Sequence, residues 1–341
     1  VYMDILKLVE PKDLLDFSQN LSVTRSYLGD TLFPDTKTQN FKAEFYRLAD
    51  SRMLPTMAPV HALDAEAHIG QRPALEKVTL EKMLIKEKIN QSERIQIALD
   101  NGAAQNTLVQ YIFDDAARLA EAVKTRTEVM KCDVLQTGAL TINENGVKLS
   151  VDYGVPSANK ISLDFSSTGD PLTAIQTMVD TAADAGQKLT TVVTSTKVVT
   201  AMRKHASVQT AINGVNAKGT LVTRDAFTNF MEAEFGLTIQ VNDGRYQYEG
   251  AKGKLTANRY IDTNKFIGLA TLPNGTMGTG LWGVTPEELA YGPWTAKSQN
   301  QYITVSMWQE PDPVATWTKA SGLFIPVVPN PKGIYIGTVT M

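Results

Sequence analysis

A long amphipathic stretch, from Gln105 to about Lys131, constrains the fold of this chain more than any other feature. Apolar side chains recur there at spacings of three and four residues, and the charged residues lie mostly on the opposite side. The apolar positions are Leu108, Tyr111, Ile112, Ala116, Leu119, Ala120, Val123, Thr127 and Met130. This spacing predicts one helix roughly 40 Å long, against an average of about 11–12 residues. A helix of that length must cross a whole domain, so it predicts a domain built on a helical spine.

A charged segment upstream, His61–Asn90, follows the alternating stretch FKAEFY at residues 41–46. The alternation predicts a half-buried strand. The segment PALEKVTLEKMLIKEKI contains many good helix formers, but its apolar residues recur at a period near two with a slip around Glu81. Strand is therefore favoured there, and helix stays open. Two strands would form a long hairpin with little apolar surface of its own, and an isolated hairpin is only marginally stable.

Composition excludes several classes of protein. The chain has 341 residues, 43% of them hydrophobic and 20% charged, which is typical of a soluble globular protein with two or more domains. No apolar run approaches the roughly 18 residues of a membrane span, and the opening VYMDILKLVE lacks the pattern of a signal peptide. The single cysteine, Cys132, cannot form an intrachain disulfide. A net charge of −3 gives no strong positive field for nucleic acid.

Shorter patterns predict the remaining elements. The stretch PKDLLDF predicts a short helix near the start, and residues 141–153 predict a hairpin. Asp170 before Pro171 predicts a helix over 171–185, Thr196–His205 continues as a helix, and Thr223 caps another that ends at Phe235. Strands are predicted for KLTTVVTS (188–195), LTIQVND (237–243), RYIDTNKFIGLATL (259–272), QYITVSMW (301–308), GLFIPVV (322–328) and GIYIGTV (333–339), with DGRYQYEGAKGK (243–254) as a glycine-rich turn. The chain is therefore predicted to be α+β.

Residues that could carry chemistry are few. His61 and His68 flank Asp64 and Glu66, but their spacing matches no zinc pattern, so solvated surface groups are predicted. Cys132 has no nearby histidine and is predicted to be a core thiol. The glycine-rich strings GAKGKLT (250–256) and NGTMGTG (274–280) have the wrong spacing or context for phosphate binding and predict turns. The sequence therefore predicts no catalytic residue, no cofactor site and no metal site.

Several strings, together with the order of the elements, resemble one protein family. They are Phe33-Pro34, VLQTG (134–138), LPNGTM (272–277) and ASGLFIPVVPNPKGI (320–334). These strings and the element order resemble the major capsid proteins of lambda-type tailed phages, which have the Hong Kong 97-type capsid fold.

The resemblance implies a division of the chain. On this division the chain has four parts. They are an N-terminal arm (1–37), an extended loop formed by a long β-hairpin (38–91), a peripheral domain with the spine helix (92–153 and 306–341) and an axial domain (154–305).

The resemblance also implies a role as the coat protein of a tailed bacteriophage. Many copies would self-assemble as hexamers and pentamers into an icosahedral virion shell around double-stranded DNA, in the host bacterial cytoplasm. The implied partners are other copies, a scaffolding protein and a portal, with weak, non-specific DNA contact and no membrane; a decoration protein stays open.

The extended loop is predicted to contact a neighbouring subunit through polar and charged residues. Charges of both signs favour an orientation-specific contact, because complementary charges fix register more than they add affinity. The predicted contact residues are Arg52, His61, Asp64, Glu66, His68, Arg72, Glu76, Lys77, Glu81 and Lys82.

Alternatives remain. Some capsids of this fold carry a Lys–Asn cross-link, for which Lys77, Lys82, Lys86 and Asn90 are present, although ordinary surface residues explain them as well. The same fold could form an encapsulin-type nanocompartment. Outside it, a cytoplasmic enzyme with its site in residues 154–305, or a secreted adhesin, would fit the mixed pattern of elements.

Overall fold

The computed structural model describes residues 25–48, 57–61, 63, 66–69, 75–91, 105–215, 219–250, 254–291, 302–312 and 314–341. The helices of these residues are α1 Leu28–Leu32, α2 Gln105–Thr137, α3 Pro171–Asp184, α4 Thr196–Lys204, α5 Ala206–Asn213, α6 Arg224–Phe235 and α7 Pro286–Tyr291. None of them combines the length and apolar character needed to cross a bilayer.

The strands of the described residues fall into two large sheets and three two-stranded sheets. Their bounds are β1 Asp35–Lys37, β2 Lys42–Leu48, β3 Leu75–Glu81, β4 Met83–Gln91, β5 Ala139–Glu144, β6 Val147–Asp152, β7 Lys160–Asp164, β8 Thr191–Thr194, β9 Thr238–Val241, β10 Arg245–Glu249, β11 Leu255–Arg259, β12 Lys265–Leu269, β13 Thr279–Trp282, β14 Thr304–Pro311, β15 Val314–Val327 and β16 Ile334–Thr340.

Two compact units divide the chain. The first comprises Val1–Glu44, Thr79–Lys131 and Thr279–Val327, and the second comprises Phe45–Val78, Cys132–Gly278 and Val328–Met341.

The first unit contains a five-stranded sheet centred on β15. This strand pairs antiparallel with β13 at one end and with both β4 and β14 along the rest of its length. The predicted spine helix is confirmed as α2, which continues beyond Lys131 to Thr137 and ends at Gly138 with a positive φ of 75°. Its apolar face is confirmed from Ala116 to Met130; Leu108, Tyr111 and Ile112 lie outside the described side chains.

The second unit is built on a mixed sheet of order β7-β16-β12-β8-β9. Its helices α3 to α6 pack apolar side chains against it, among them Met178, Met202, Phe227 and Met231. The predicted N-caps are confirmed, because Asp170 and Thr223 accept hydrogen bonds from the first turns of α3 and α6. The sheet therefore has an apolar core within the second unit.

Two sequence predictions about strands are wrong. The string DGRYQYEGAKGK is not simply a turn, because β10 and β11 pair antiparallel across it from Arg245 to Arg259. The division that placed 306–341 in one domain also fails, since β14 and β15 lie in the first sheet while β16 lies between β7 and β12 in the second. The names peripheral and axial for the two units stay a prediction.

The extended hairpin is confirmed in part. Residues 75–91 form strands rather than a helix, and the slip seen near Glu81 is the break between β3 and β4 at Lys82. Only β3 pairs with β2, whereas β4 pairs with β15 from Phe324 to Thr316. The predicted long hairpin over 38–91 is therefore wrong for its last strand, because β4 pairs with β15, a strand far away in the sequence. The predicted helix PKDLLDF lies outside the described residues.

Candidate assembly surface

We call the two-stranded sheet of β2 and β3, with its tip, the arm; it is distinct from the predicted N-terminal arm of residues 1–37. Its two strands pair only with each other among the described strands. Two ion pairs show that the strands are antiparallel: Lys42–Glu81 at 3.7 Å and Arg47–Glu76 at 2.8 Å. The Arg47 guanidinium also donates to the carbonyl oxygen of Tyr153 at 2.9 Å. It lowers the pKa of the Glu76 carboxyl through this hydrogen bond and its charge. Most side chains of the arm are exposed, so the arm has little core of its own.

The tip of the arm, defined here by the described residues 57–61, 63 and 66–69, exposes apolar side chains. Met57, Val60, Leu63 and Ile69 are 88%, 98%, 96% and 87% exposed. Single exposed apolar residues are ordinary, but a group of them in one short segment marks a surface that another molecule covers. The apolar tip is thus the strongest candidate for a contact surface.

Lys82 lies where the chain leaves the arm and enters the large sheet, and its side chain is 2% exposed. Its ammonium donates to the Thr38 hydroxyl, the Asn40 carbonyl and, at 3.1 Å, the Trp282 carbonyl. An ammonium has three N–H donors, so these neutral acceptors satisfy it fully. Burial lowers the pKa of Lys82. This side chain therefore fixes the base of the arm to β13.

Lys131 forms a second buried centre in the first unit. It is fully buried on α2, and its ammonium lies 3.0 Å from a carboxylate oxygen of both Asp30 and Asp35. One turn earlier, both carboxylate oxygens of Glu128 lie 3.0 Å from the Gly29 backbone nitrogen, which donates to them. The spine helix is thus attached to α1 and β1 by charge-assisted contacts.

Glu287 forms a third centre at the start of α7. It is 6% exposed, and its carboxylate accepts from Lys319 at 2.8 Å, pairs with Lys86 at 3.2 Å and accepts from the Ser321 hydroxyl at 3.0 Å. Burial alone would raise the pKa of Glu287, but these contacts and a backbone hydrogen bond outweigh it and lower the pKa to about 2. The ionised carboxylate therefore joins α7 to β4 and β15.

Replacing Glu287 with glutamine is expected to flatten the acid dependence of stability. The folded-state pKa of about 2 lies below the unfolded value of 4.5. The carboxylate thus adds stability above about pH 4.5 that is lost as the pH falls toward 2, by about 3 kcal/mol in all. Unfolding free energies measured by urea denaturation from neutral to acidic pH would show this difference. Glu234→Gln, on an exposed face of α6, is the control, and equal acid dependence in the two variants would contradict the role of Glu287.

The predicted contact residues are only partly brought together. His61, Glu66 and His68 lie at the tip, where the His68 backbone nitrogen donates to His61 Nε2 at 3.2 Å. Glu76, Lys77 and Glu81 lie exposed along β3. Arg52, Asp64 and Arg72 lie outside the described residues.

The prediction for Lys82 as a contact residue is wrong, because its ammonium is enclosed by acceptors of its own chain. Sequence reasoning also missed the apolar side chains of the tip. The string MAPVHAL, apolar yet turn-rich, was the available signal. Within the described ranges, no group of three histidine, cysteine or acidic side chains is placed to hold a metal ion. Cys132 is buried, as expected of a core thiol.

Comparison with known proteins identifies the family. The sequence model of phage major capsid protein E matches residues 10–339, nearly the whole chain. The chain belongs to the phage major capsid protein E family. No curated protein sequence matches this capsid protein.

Solved structures show the fold of this capsid protein. A protein assigned as a prophage capsid protein of E. coli CFT073 is similar with a TM-score of 0.63 and 16% identity, over 97% of this chain and 99% of that one. A phage-related protein of Bordetella bronchiseptica RB50 gives 0.58 and 11%, over 97% and 96%. The mature capsid of bacteriophage PhiM1 gives 0.51 and 7%, over 94% and 89%. The α+β fold is thus the Hong Kong 97-type capsid fold, and the protein is a structural component of a phage shell.

Proposed function

We propose that this capsid protein is the coat subunit of a tailed bacteriophage. Copies assemble as hexamers and pentamers into an icosahedral shell that encloses double-stranded DNA, with a scaffolding protein and a portal as partners, in the cytoplasm of the host bacterium. A decoration protein stays open. The observation that carries this proposal is the arm, whose exposed apolar tip has no cover among the described residues.

The physics of the arm favours a contact between copies. A two-stranded hairpin is marginal by itself, and fixing each residue costs roughly 1–2 kcal/mol of backbone entropy. Burying each exposed apolar side chain of the tip against a neighbour contributes about 1.5–3 kcal/mol. A subunit repeated around a shell offers every tip the same neighbouring surface, so the arm gains its stability through assembly.

The charge of the chain agrees with a shell that confines DNA without gripping it. With 33 basic and 36 acidic residues, the chain is slightly acidic. Affinity for double-stranded DNA comes mainly from neutralised phosphates. We therefore infer DNA contacts that are local, weak and independent of sequence.

Replacing Met57, Val60, Leu63 and Ile69 with serine is expected to abolish shells while leaving a folded, soluble subunit. The four side chains are almost fully exposed, so their loss removes contact surface without opening a core. The chain would be expressed with its scaffolding partner and examined by sedimentation velocity and negative-stain electron microscopy. The unaltered chain is expected to form closed shells or rings of five and six.

A matched control replaces four exposed apolar residues outside the arm, Val147, Val215, Leu221 and Leu255, with serine. This variant is expected to assemble normally. An unaltered chain that stays a monomer or dimer with its partner would contradict the coat function and favour an enzyme. Shells that contain a cargo protein without nucleic acid would favour the nanocompartment.

A further inference from the structure

One side of three adjacent strands in the first unit carries lysine and tryptophan side chains. We call it the lysine–tryptophan face and define it by Lys86 and Lys88 of β4, Trp317 and Lys319 of β15, and Trp308 of β14. The register places Lys88 opposite Lys319 and Trp317 opposite Trp308. Residues at alternate positions of a strand point to the same side, so these side chains share one surface.

The other side of β15 is already covered. A Cβ atom added to Gly322 would lie 2.8 Å from the Trp282 ring and 3.0 Å from Val123 of α2. Phe324 is fully buried, with its ring 4.9 Å from that of Trp282. The spine helix therefore covers that side, which leaves the lysine–tryptophan face as the side open to a partner among the described residues.

The charges of this face are not balanced within the described residues. The single carboxylate of Glu287 forms ion pairs with both Lys86 and Lys319. Lys88 faces Lys319 directly across the strands, an arrangement of like charges that is unfavourable without compensation. The described residues offer Lys88 no carboxylate. Its exposed ammonium lies 3.9 Å from the centre of the Trp317 ring and 6.0 Å from that of Trp308.

Among the described residues, the other acid placed on this side is Glu310, whose carboxylate accepts from the Trp308 indole N–H at 3.5 Å. Within this described set, three lysines lie beside two carboxylates. The face therefore has a local excess of positive charge. Lys88 is the cation best placed to form an ion pair with a carboxylate of another molecule.

A pocket of about 320 Å³ lies beside the lysines. Its lining includes Ser306 and Trp308, which lie on the same side of the sheet as Lys319, and Glu287 and Lys319 form its charged part. Val305 and Met307 also border it, so the apolar surface that the pocket shares with this face comes from Trp308. This volume is within the range of pockets that accept ligand groups, roughly 300–1,000 Å³. β14 pairs only with β15 among the described strands, so the pocket lies along a free strand edge. The surface therefore fits an acidic segment that also carries apolar side chains.

The geometry points to the arm tip of a second copy as the occupant, an inference that rests on the proposed coat function. The tip offers apolar side chains that need cover, and exposed Glu66 lies between Leu63 and Ile69 in the sequence. The apolar residues enter the pocket beside Trp308, and Glu66 pairs with Lys88. This single contact gives Lys88 a carboxylate partner and also buries the exposed apolar side chains of the tip.

Charge exchange tests the pairing. Lys88→Glu and Glu66→Lys are each expected to weaken assembly by about tenfold or more, because each places like charges together. The double variant restores the attraction in reversed sense and is expected to recover shells. Lys148→Glu, an exposed lysine of β6, is the control and is expected to assemble normally. Circular dichroism of each unassembled subunit shows whether the variant is folded.

A second measurement does not depend on those substitutions. Ser306→Cys places a thiol in the pocket, and buried Cys132 contributes little background. A thiol reagent is expected to label this cysteine rapidly in the unassembled subunit and at least about tenfold more slowly in shells. Leu63→Cys on a differently tagged copy is expected to form a disulfide with it between chains when shells are treated with a mild oxidant, which takes up the two electrons released by the two thiols.

Each result separates this inference from the coat function. Shells that tolerate both single reversals, or a double variant that stays defective, would overturn the pairing and leave the coat function intact. Slow labelling in the unassembled subunit, or a disulfide within one chain only, would also overturn it, because the chain itself would then cover the pocket. An unaltered chain that never assembles would instead contradict the coat function.

Discussion

Replacing Lys131 with methionine is expected to lower the free energy of unfolding by about 3 kcal/mol, because it removes a buried ammonium from the largely buried Asp35 and from the more exposed Asp30. The variant keeps the volume of the side chain but leaves Asp30 and Asp35 without their shared cation. Urea denaturation followed by tryptophan fluorescence would measure the loss. All four tryptophans lie between residues 282 and 317, so this signal reports the first unit.

Two further variants serve as a control for the Lys131→Met measurement and as a test of its cause. Arg118→Met changes an exposed cation on the same helix and is expected to alter stability by less than about 0.5 kcal/mol. The triple variant Asp30→Asn, Asp35→Asn, Lys131→Met removes both stranded charges and is expected to recover part of the loss. A Lys131→Met variant no less stable than Arg118→Met would show that the cluster is not important for stability.

The sequence correctly predicted the helices, helix caps and turns that depend only on residues close together in the chain. The spine helix follows from spacing along one segment, and the helix caps follow from Asp170 and Thr223 themselves. The turn of the β5–β6 hairpin follows from Asn145-Gly146, both of which have positive φ. These features need no knowledge of distant residues, which is why the sequence predicts them correctly.

Pairing between distant strands could not be predicted in this way. The alternating pattern of β4 specifies a strand but not its partner, and β15 lies more than two hundred residues later in the chain. The same limit applies to β16, which follows β15 closely in sequence yet joins the other sheet. Which strands pair depends on how the apolar faces of all the elements pack together, and the pattern of a single strand does not contain that information.

The candidate surface was predicted in position but not in chemistry. The arm was identified from its charges, whereas its tip is distinguished by exposed Val60 and Leu63. Lys82 looks like any surface lysine in the run LEKMLIKEK, and only the fold shows three acceptors around it. Charge in a sequence marks residues that can reach water, but it does not show which of them the fold encloses.

Replacing Lys82 with alanine is expected to destabilise the first unit by about 3 to 5 kcal/mol, since it combines a cavity with lost hydrogen bonds. Lys82→Met refills most of that space and is expected to cost only about 1 to 3 kcal/mol. The difference between the unfolding free energies of the two variants gives the contribution of side-chain packing. The loss that remains in Lys82→Met gives the contribution of the ammonium and its hydrogen bonds. Faster hydrogen exchange in β2 and β3 of both variants would show that the base of the arm has loosened. Lys77→Ala, an exposed position on β3, is the control.

The pH dependence of the same variants tests whether the ammonium is enclosed. Burial lowers the pKa of Lys82 from 10.5, so the folded protein loses this proton before the unfolded chain does. The stability of the unaltered protein relative to Lys82→Met should therefore rise with pH through the window below 10.5 and become constant above it. A difference that stays constant from about pH 8 to about pH 11 would place the ammonium in water. Lys82 would then not anchor the arm, and the buried carbonyl of Trp282 would need another donor.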